Sequence, residues 1–168
     1  VTDTVNKSII RGHYAEGFRE IDSVFMTKKA VAVALQERDS VYIHSDTLMV
    51  TGKPDNRIIR GFYDVRLFKS NMSGKSDSIH VQQSTGLTQM LGNPVIWSEN
   101  NQLTGDTIHL KNNVKTEQLD SLLVFENAFM IQRDSVGGFN QLKGKEMYGQ
   151  FTDNELRQVD LVKNTETI

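Results

Sequence analysis

The chain has 168 residues, which fits one domain with a real core, yet only 38% of them are hydrophobic, as suits an elongated β protein. A formal net charge of −2 leaves no basic field to hold nucleic acid, and Lys and Arg are scattered without a block of like charge. The absence of cysteine excludes disulfides, thiolate metal sites and a Cys nucleophile, and the longest nearly apolar run, Ala30 to Leu35, is too short to span a membrane.

Along the chain one phrase returns: an acid, a hydroxyl residue, then alternating apolar positions. It begins as Asp22-Ser23-Val24-Phe25-Met26, and Val31-Ala32-Val33-Ala34-Leu35 adds a further alternating run. Asp39-Ser40-Val41-Tyr42-Ile43 repeats it, with Asp46-Thr47-Leu48-Met49-Val50 as a looser copy before the break Thr51-Gly52-Lys53-Pro54-Asp55-Asn56. Val65-Arg66-Leu67 follows Gly61, and beyond the turn around Gly74 comes Asp77-Ser78-Ile79-His80-Val81. Leu91-Gly92-Asn93-Pro94 breaks the chain before Val95-Ile96-Trp97, and Thr104-Gly105 before Asp106-Thr107-Ile108-His109-Leu110. Asp120-Ser121-Leu122-Leu123-Val124, Phe129-Met130-Ile131 and the shortened Asp134-Ser135-Val136 complete the series. Glu117 to Glu126 has some helical propensity but fits the strand phrase better, and Thr152 to Arg157 reads as a helical turn or a hairpin loop.

Period-two alternation gives each strand one buried and one wet face. The later full copies recur at roughly the spacing of stacked-repeat architectures. Pleat parity predicts that Val31, Val33, Leu35, Val41, Ile43, Leu48, Val50, Val65, Leu67, Ile79, Val81, Val95, Trp97, Ile108, Leu110, Phe129 and Ile131 point inward. Such stacking makes a long binding face before it makes a catalytic pocket. No composition shift marks a linker, so one domain is expected over residues 1–168. The start at Val1, in a polar stretch, reads as a mature or trimmed piece of a longer chain.

Chemistry-bearing side chains are few. His80 and His109 occupy equivalent slots and are expected one rung apart, but on the wet face and short of the ligands zinc needs; solvated surface His is the plainer reading. The repeated Asp residues are expected to satisfy turn backbone at strand entrances rather than to pair as glycosidase carboxylates. No nucleophile elbow accompanies the serines, and Gly137-Gly138 alone does not make a phosphate loop. Trp97 is read as capping an internal groove or filling core. No enzymatic activity, cofactor or metal is expected.

The segment Gly61-Phe62-Tyr63-Asp64-Val65-Arg66-Leu67-Phe68-Lys69, running to Asp77-Ser78-Ile79, resembles the unit of the OstA/LptA-like lipopolysaccharide-transport family. Met90 to Glu99 running into Gln102 to Ile108, then Asn127 to Ile131 with Phe139 to Met147, are similar to successive units, and Val159 to Asn164 to its final strand. The resemblance implies an all-β, open antiparallel β-jellyroll (a "β-taco") of stacked strand pairs, two facing sheets around an apolar groove. It also implies a periplasmic, Gram-negative bridge component shielding lipopolysaccharide acyl chains in transit to the outer membrane. The seventeen inward positions then become lipid-groove residues. Implied partners are lipopolysaccharide, through its lipid A acyl chains, and other OstA-like transport proteins or a second copy, through edge-strand pairing. The alternatives are a β-solenoid scaffold without a lipid ligand and a β-helical carbohydrate-active enzyme.

Overall fold

A computed structural model describes residues 2–3, 8–35, 40–53, 56–98, 100–153 and 155–167. Asp39, Pro54, Asp55, Glu99 and Asn154 lie outside the described residues. The strands are β1 (Thr2–Asp3), β2 (Ser8–Arg11), β3 (Tyr14–Phe18), β4 (Ser23–Ala34), β5 (Val41–Thr51), β6 (Ile58–Lys69), β7 (Met72–Gln82) and β8 (Leu87–Leu91). They continue with β9 (Val95–Ser98), β10 (Asn101–Thr104), β11 (Thr107–Asn112), β12 (Leu119–Arg133), β13 (Phe139–Thr152), β14 (Glu155–Val162) and β15 (Glu166–Thr167). All pairings are antiparallel, and no α-helix occurs among the described residues. Glu117 to Glu126 runs into β12, and Thr152 to Arg157 is a turn into β14.

The long strands bend midway, and the bends line up into a corner. On β4, β6 and β12 the bend is a bulge of consecutive left-handed residues: Lys28-Lys29, Tyr63-Asp64 and Glu126-Asn127. A bulge adds a residue to one strand and sharpens its turn. On β5 and β7 the bend is built differently. Ser45 Oγ donates to the Thr47 carbonyl at 2.7 Å and Ser76 Oγ to the Ser78 carbonyl at 2.9 Å. Each buried hydroxyl thus takes a backbone oxygen that the bent ladder leaves over. Asp46 and Asp77 stand between those residues, and Asp106 fills the same slot after Gly105.

The returning acid–hydroxyl phrase marks corners inside the strands at Asp46 and Asp77, whereas Asp106, also at the corner, stands at the entrance to β11 and Asp22 at the entrance to β4, as expected. At Asp106 the carboxylate accepts from Asn127 Nδ2 at 3.0 and 3.2 Å. Asp134 does serve a turn: its Oδ1 accepts from the backbone N–H of Val136 at 2.9 Å and of Gly138 at 2.7 Å.

The corner divides the sheet into two facing halves. The first runs β2, the end of β4, the start of β5, the end of β6, the start of β7, β9, β10, the end of β12, the start of β13 and β15. The second runs β3 and the remaining halves of β4, β5, β6 and β7, then β8, β11, the start of β12, the end of β13 and β14. Only small side chains fit where the halves converge: Ala30, Ser45, Val65 and Ala128 are completely buried there. Next to them runs a spine across the second half: Met26, Leu48, Ile79, Met90, Ile108, Val124 and Met147, all buried.

Gly105 shows how tight the corner is. A Cβ there would lie 2.2 Å from Val124 Cγ1 and 3.2 Å from the Glu126 carbonyl. Because Val124 is buried and cannot retreat, Gly105→Val is expected to cost about 1–3 kcal/mol of stability through overpacking. The urea midpoint measures it, and an unchanged midpoint would show that the corner is looser than drawn.

Candidate functional site

Away from the corner the half-sheets diverge and leave a slot of about 500 Å3, within the range of small-molecule cavities. One wall is a single rung, Ile43, Leu67, Ile96, Leu103 and Met130, with Gly74 between Leu67 and Ile96. The opposite wall is the rung Ile59, Val81, Thr88, Leu110 and Leu122. Both walls are inward by the pleat, one rung from the sealed part of the core or from the corner itself.

Toward the mouth the lining turns polar. Lys69, Asn71, Gln82, Gln83, Asn101, Asn112, Asn113, Gln132 and Glu155 border it, with Leu35, Val41, Met72, Phe151 and Leu156 among them. These residues sit at the hairpin ends, where turn chemistry favours Asn and Gly over apolar side chains. Asn101 Oδ1 is buried and has no protein partner. The slot is thus an apolar trough with a polar rim, closed along the corner.

The structure sorts the seventeen predicted inward residues into three groups. Leu35, Val41, Ile43, Leu67, Val81 and Leu110 line the slot. Leu48, Val50, Val65, Ile79 and Ile108 are buried in the core beneath or beside it. Val31, Val33, Val95, Trp97, Phe129 and Ile131 are the correction: they lie on the outer face of the first half-sheet, and their neighbours Ala32, Ile96 and Met130 point inward. In Val95-Ile96-Trp97 and Phe129-Met130-Ile131 every residue is apolar, so alternation carries no sign. The ladder to Gly74 and Leu103 sets the register instead. In Val31 to Ala34 the ladder decides: Ala32 pairs with Ile43 and Ala34 with Val41, which puts the alanines inside.

Trp97 neither caps the slot nor fills core: it is 38% exposed, and its Nε1–H donates to Gln102 Oε1 at 2.9 Å. Ile59, Ile96, Leu103, Leu122 and Met130 are wall residues that the parity argument did not select, although Ile96 and Met130 sit between two that it did.

The histidines are not neighbours. β8 intervenes, so one outer rung reads Arg60, His80, Gln89, His109, and Gln89 Nε2 donates to His109 Nε2 at 3.0 Å. Burial, with the charge of Arg60 second, lowers the His80 pKa below its ordinary value, and burial lowers that of His109. Both are therefore neutral in the neutral pH range. His44 lies on the other half-sheet, opposite Arg66. Among the described residues no group of three or more His, Asp or Glu comes together to hold a metal.

Residues 33–118 match the profile of the LptA/(LptD N-terminal domain) LPS transport protein family. The chain belongs to that family. The fold likeness extends well beyond the matched segment. A crystal structure of LptH from Pseudomonas aeruginosa, described as the LptA-homologous periplasmic component of the conserved lipopolysaccharide transport device, superposes with a TM-score of 0.53. That superposition covers 98% of this chain and 97% of LptH at 8% identity. No curated protein sequence matches the chain.

Proposed function

We propose that this LptA-family chain is a periplasmic carrier that holds the acyl chains of lipopolysaccharide in the slot and leaves the sugars in water, without catalysis. The observation that carries the reading is the slot's grading from aliphatic walls to a polar rim. Each methylene moved from water onto such walls gains about 0.8 kcal/mol, so affinity needs no ionic anchor. The walls are rows of Ile, Leu, Val and Met of similar size, and no side chain fixes one register of the chain. A ligand can then slide along the trough, as a transporter requires. Asn101 Oδ1 at the mouth offers an acceptor for a hydroxyl or amide of the headgroup.

Partners are read from the edges. Among the described residues β3 pairs only with β4, and β14 only with β13. These are the opposite edges of the second half-sheet, each free to add a strand from another LptA-like protein or from a second copy. Stacking copies edge to edge would prolong the trough. Residues 1–168 act in this reading as one unit of such a bridge.

A photocrosslinker at Leu67, Val81 or Leu110 is expected to capture lipid A in a lipopolysaccharide-producing cell, whereas one at Arg66 or His109 is not. Equal labelling of both sets, or none, would count against carriage and favour a scaffold without a lipid ligand.

A further inference from the structure

We infer that the outer face of the first half-sheet is a docking surface for an anionic lipid bilayer. Its outermost rung carries Tyr42, Phe68 and Trp97, which are 44%, 57% and 38% exposed, and Phe139 near the same margin is 63% exposed. The Tyr42 and Phe68 rings sit 6.3 Å apart. So much exposed aromatic surface on one sheet face calls for a covering partner.

The next rung toward the corner carries four cations, spaced by Val31, His44, Val95, Thr104 and Phe129. Arg11, Arg66, Lys75 and Lys143 project from the same face, and Arg133 stands beside Phe139. Lys75 Nζ lies 5.8 Å from the Trp97 ring centroid. Among the described residues the acids paired with these cations are Asp64, 3.3 Å from Arg66, and Glu166, 3.5 Å from Lys143; both pairs are well exposed and hold their cations only weakly against phosphate. The outer face of the second half-sheet also exposes Tyr14, Phe62 and Leu91, but it mixes the signs of charge: its central rung carries Arg60, His80, Gln89 and His109 and is flanked by Glu16 and Asp160.

Charge complementarity selects a phosphate-rich surface, and the aromatic row selects a bilayer. Trp and Tyr favour the membrane–water interface, and basic residues add attraction to anionic headgroups. The interior backbone of the face is spent in the ladder, which leaves its side chains to make the contact. Position adds sense. Phe68 and Trp97 each precede a residue of the slot's mouth, Lys69 and Ser98. A bilayer meeting the aromatic row therefore meets the mouth as well. The surface follows from this face alone and does not require the carrier reading.

The test is co-sedimentation of the whole chain with vesicles of phosphatidylethanolamine and phosphatidylglycerol, against phosphatidylcholine alone. Binding is expected to the anionic vesicles, to weaken with salt, and to fall about tenfold or more in Arg66→Gln/Lys75→Gln. Phe68→Ser/Phe139→Ser is expected to lose binding similarly, and since these side chains are more than half exposed the urea midpoint should move little. Val81→Lys, inside the slot, is expected to bind vesicles normally. Absence of binding, equal binding to neutral vesicles, or loss in Val81→Lys with the face variants unaffected would overturn the inference. Failure of the carrier reading looks different: normal vesicle binding without uptake of a fluorescent acyl probe.

Discussion

Lysine in place of Val81 is expected to weaken binding of an acyl-chain probe at least about tenfold, since excluding only two methylenes from the slot forfeits about 1.6 kcal/mol. Val81 stands in the wall rung between Ile59 and Thr88. Its side chain is part-buried against the core, so the lysine stem can lie along the wall and lift its ammonium to the rim. The fold should survive, and the loss should appear in displacement of a fluorescent fatty acyl probe while the unfolding midpoint moves little. An unchanged affinity in a folded Val81→Lys protein would place the acyl chain somewhere other than this slot.

The largest stability effect is expected from Ile108→Ala, at about 2–5 kcal/mol. Ile108 is fully buried, between Met90 and Val124 on the spine. Truncation leaves a cavity where converging half-sheets cannot collapse to fill it. Because Ile108 is not a wall residue, the folded fraction should still bind the probe with near-normal affinity. Denaturant unfolding gives the first number and titration at low temperature the second. A loss below about 1 kcal/mol would mean that the half-sheets are not packed at the spine.

The separation of these effects reflects how the chain encodes the fold. Strand existence was legible because apolar residues alternate with charges in stretches such as Val65-Arg66-Leu67 and Ile108-His109-Leu110, where only one parity buries the aliphatics. The same rule is silent in Val95-Ile96-Trp97 and misleading in Val31-Ala32-Val33, where size suggests that valine goes inside and the pairing of Ala32 with Ile43 puts alanine there. The corner itself was written in the sequence as Ser-Asp-Thr and Ser-Asp-Ser, but a buried Ser bonding its i+2 carbonyl looks like any turn until the ladder shows strands continuing on both sides. The apolar outer face was hidden for a related reason. A strand with two apolar faces gives no sign of which one meets the core, so alternation points Trp97 and Phe129 inward although they belong outside.

The slot as the seat of a hydrocarbon chain is tested most directly by intermolecular NOEs, which need near van der Waals contact, from acyl-chain protons of lipid A to the Ile, Leu, Val and Met methyls of the protein. NOEs are expected at Ile43, Leu67, Ile96, Leu103, Met130, Val81 and Leu110 and not at Val31, Val95 and Ile131 on the outer face. NOEs confined to the outer face, or spread evenly over both sets, would contradict carriage in the slot.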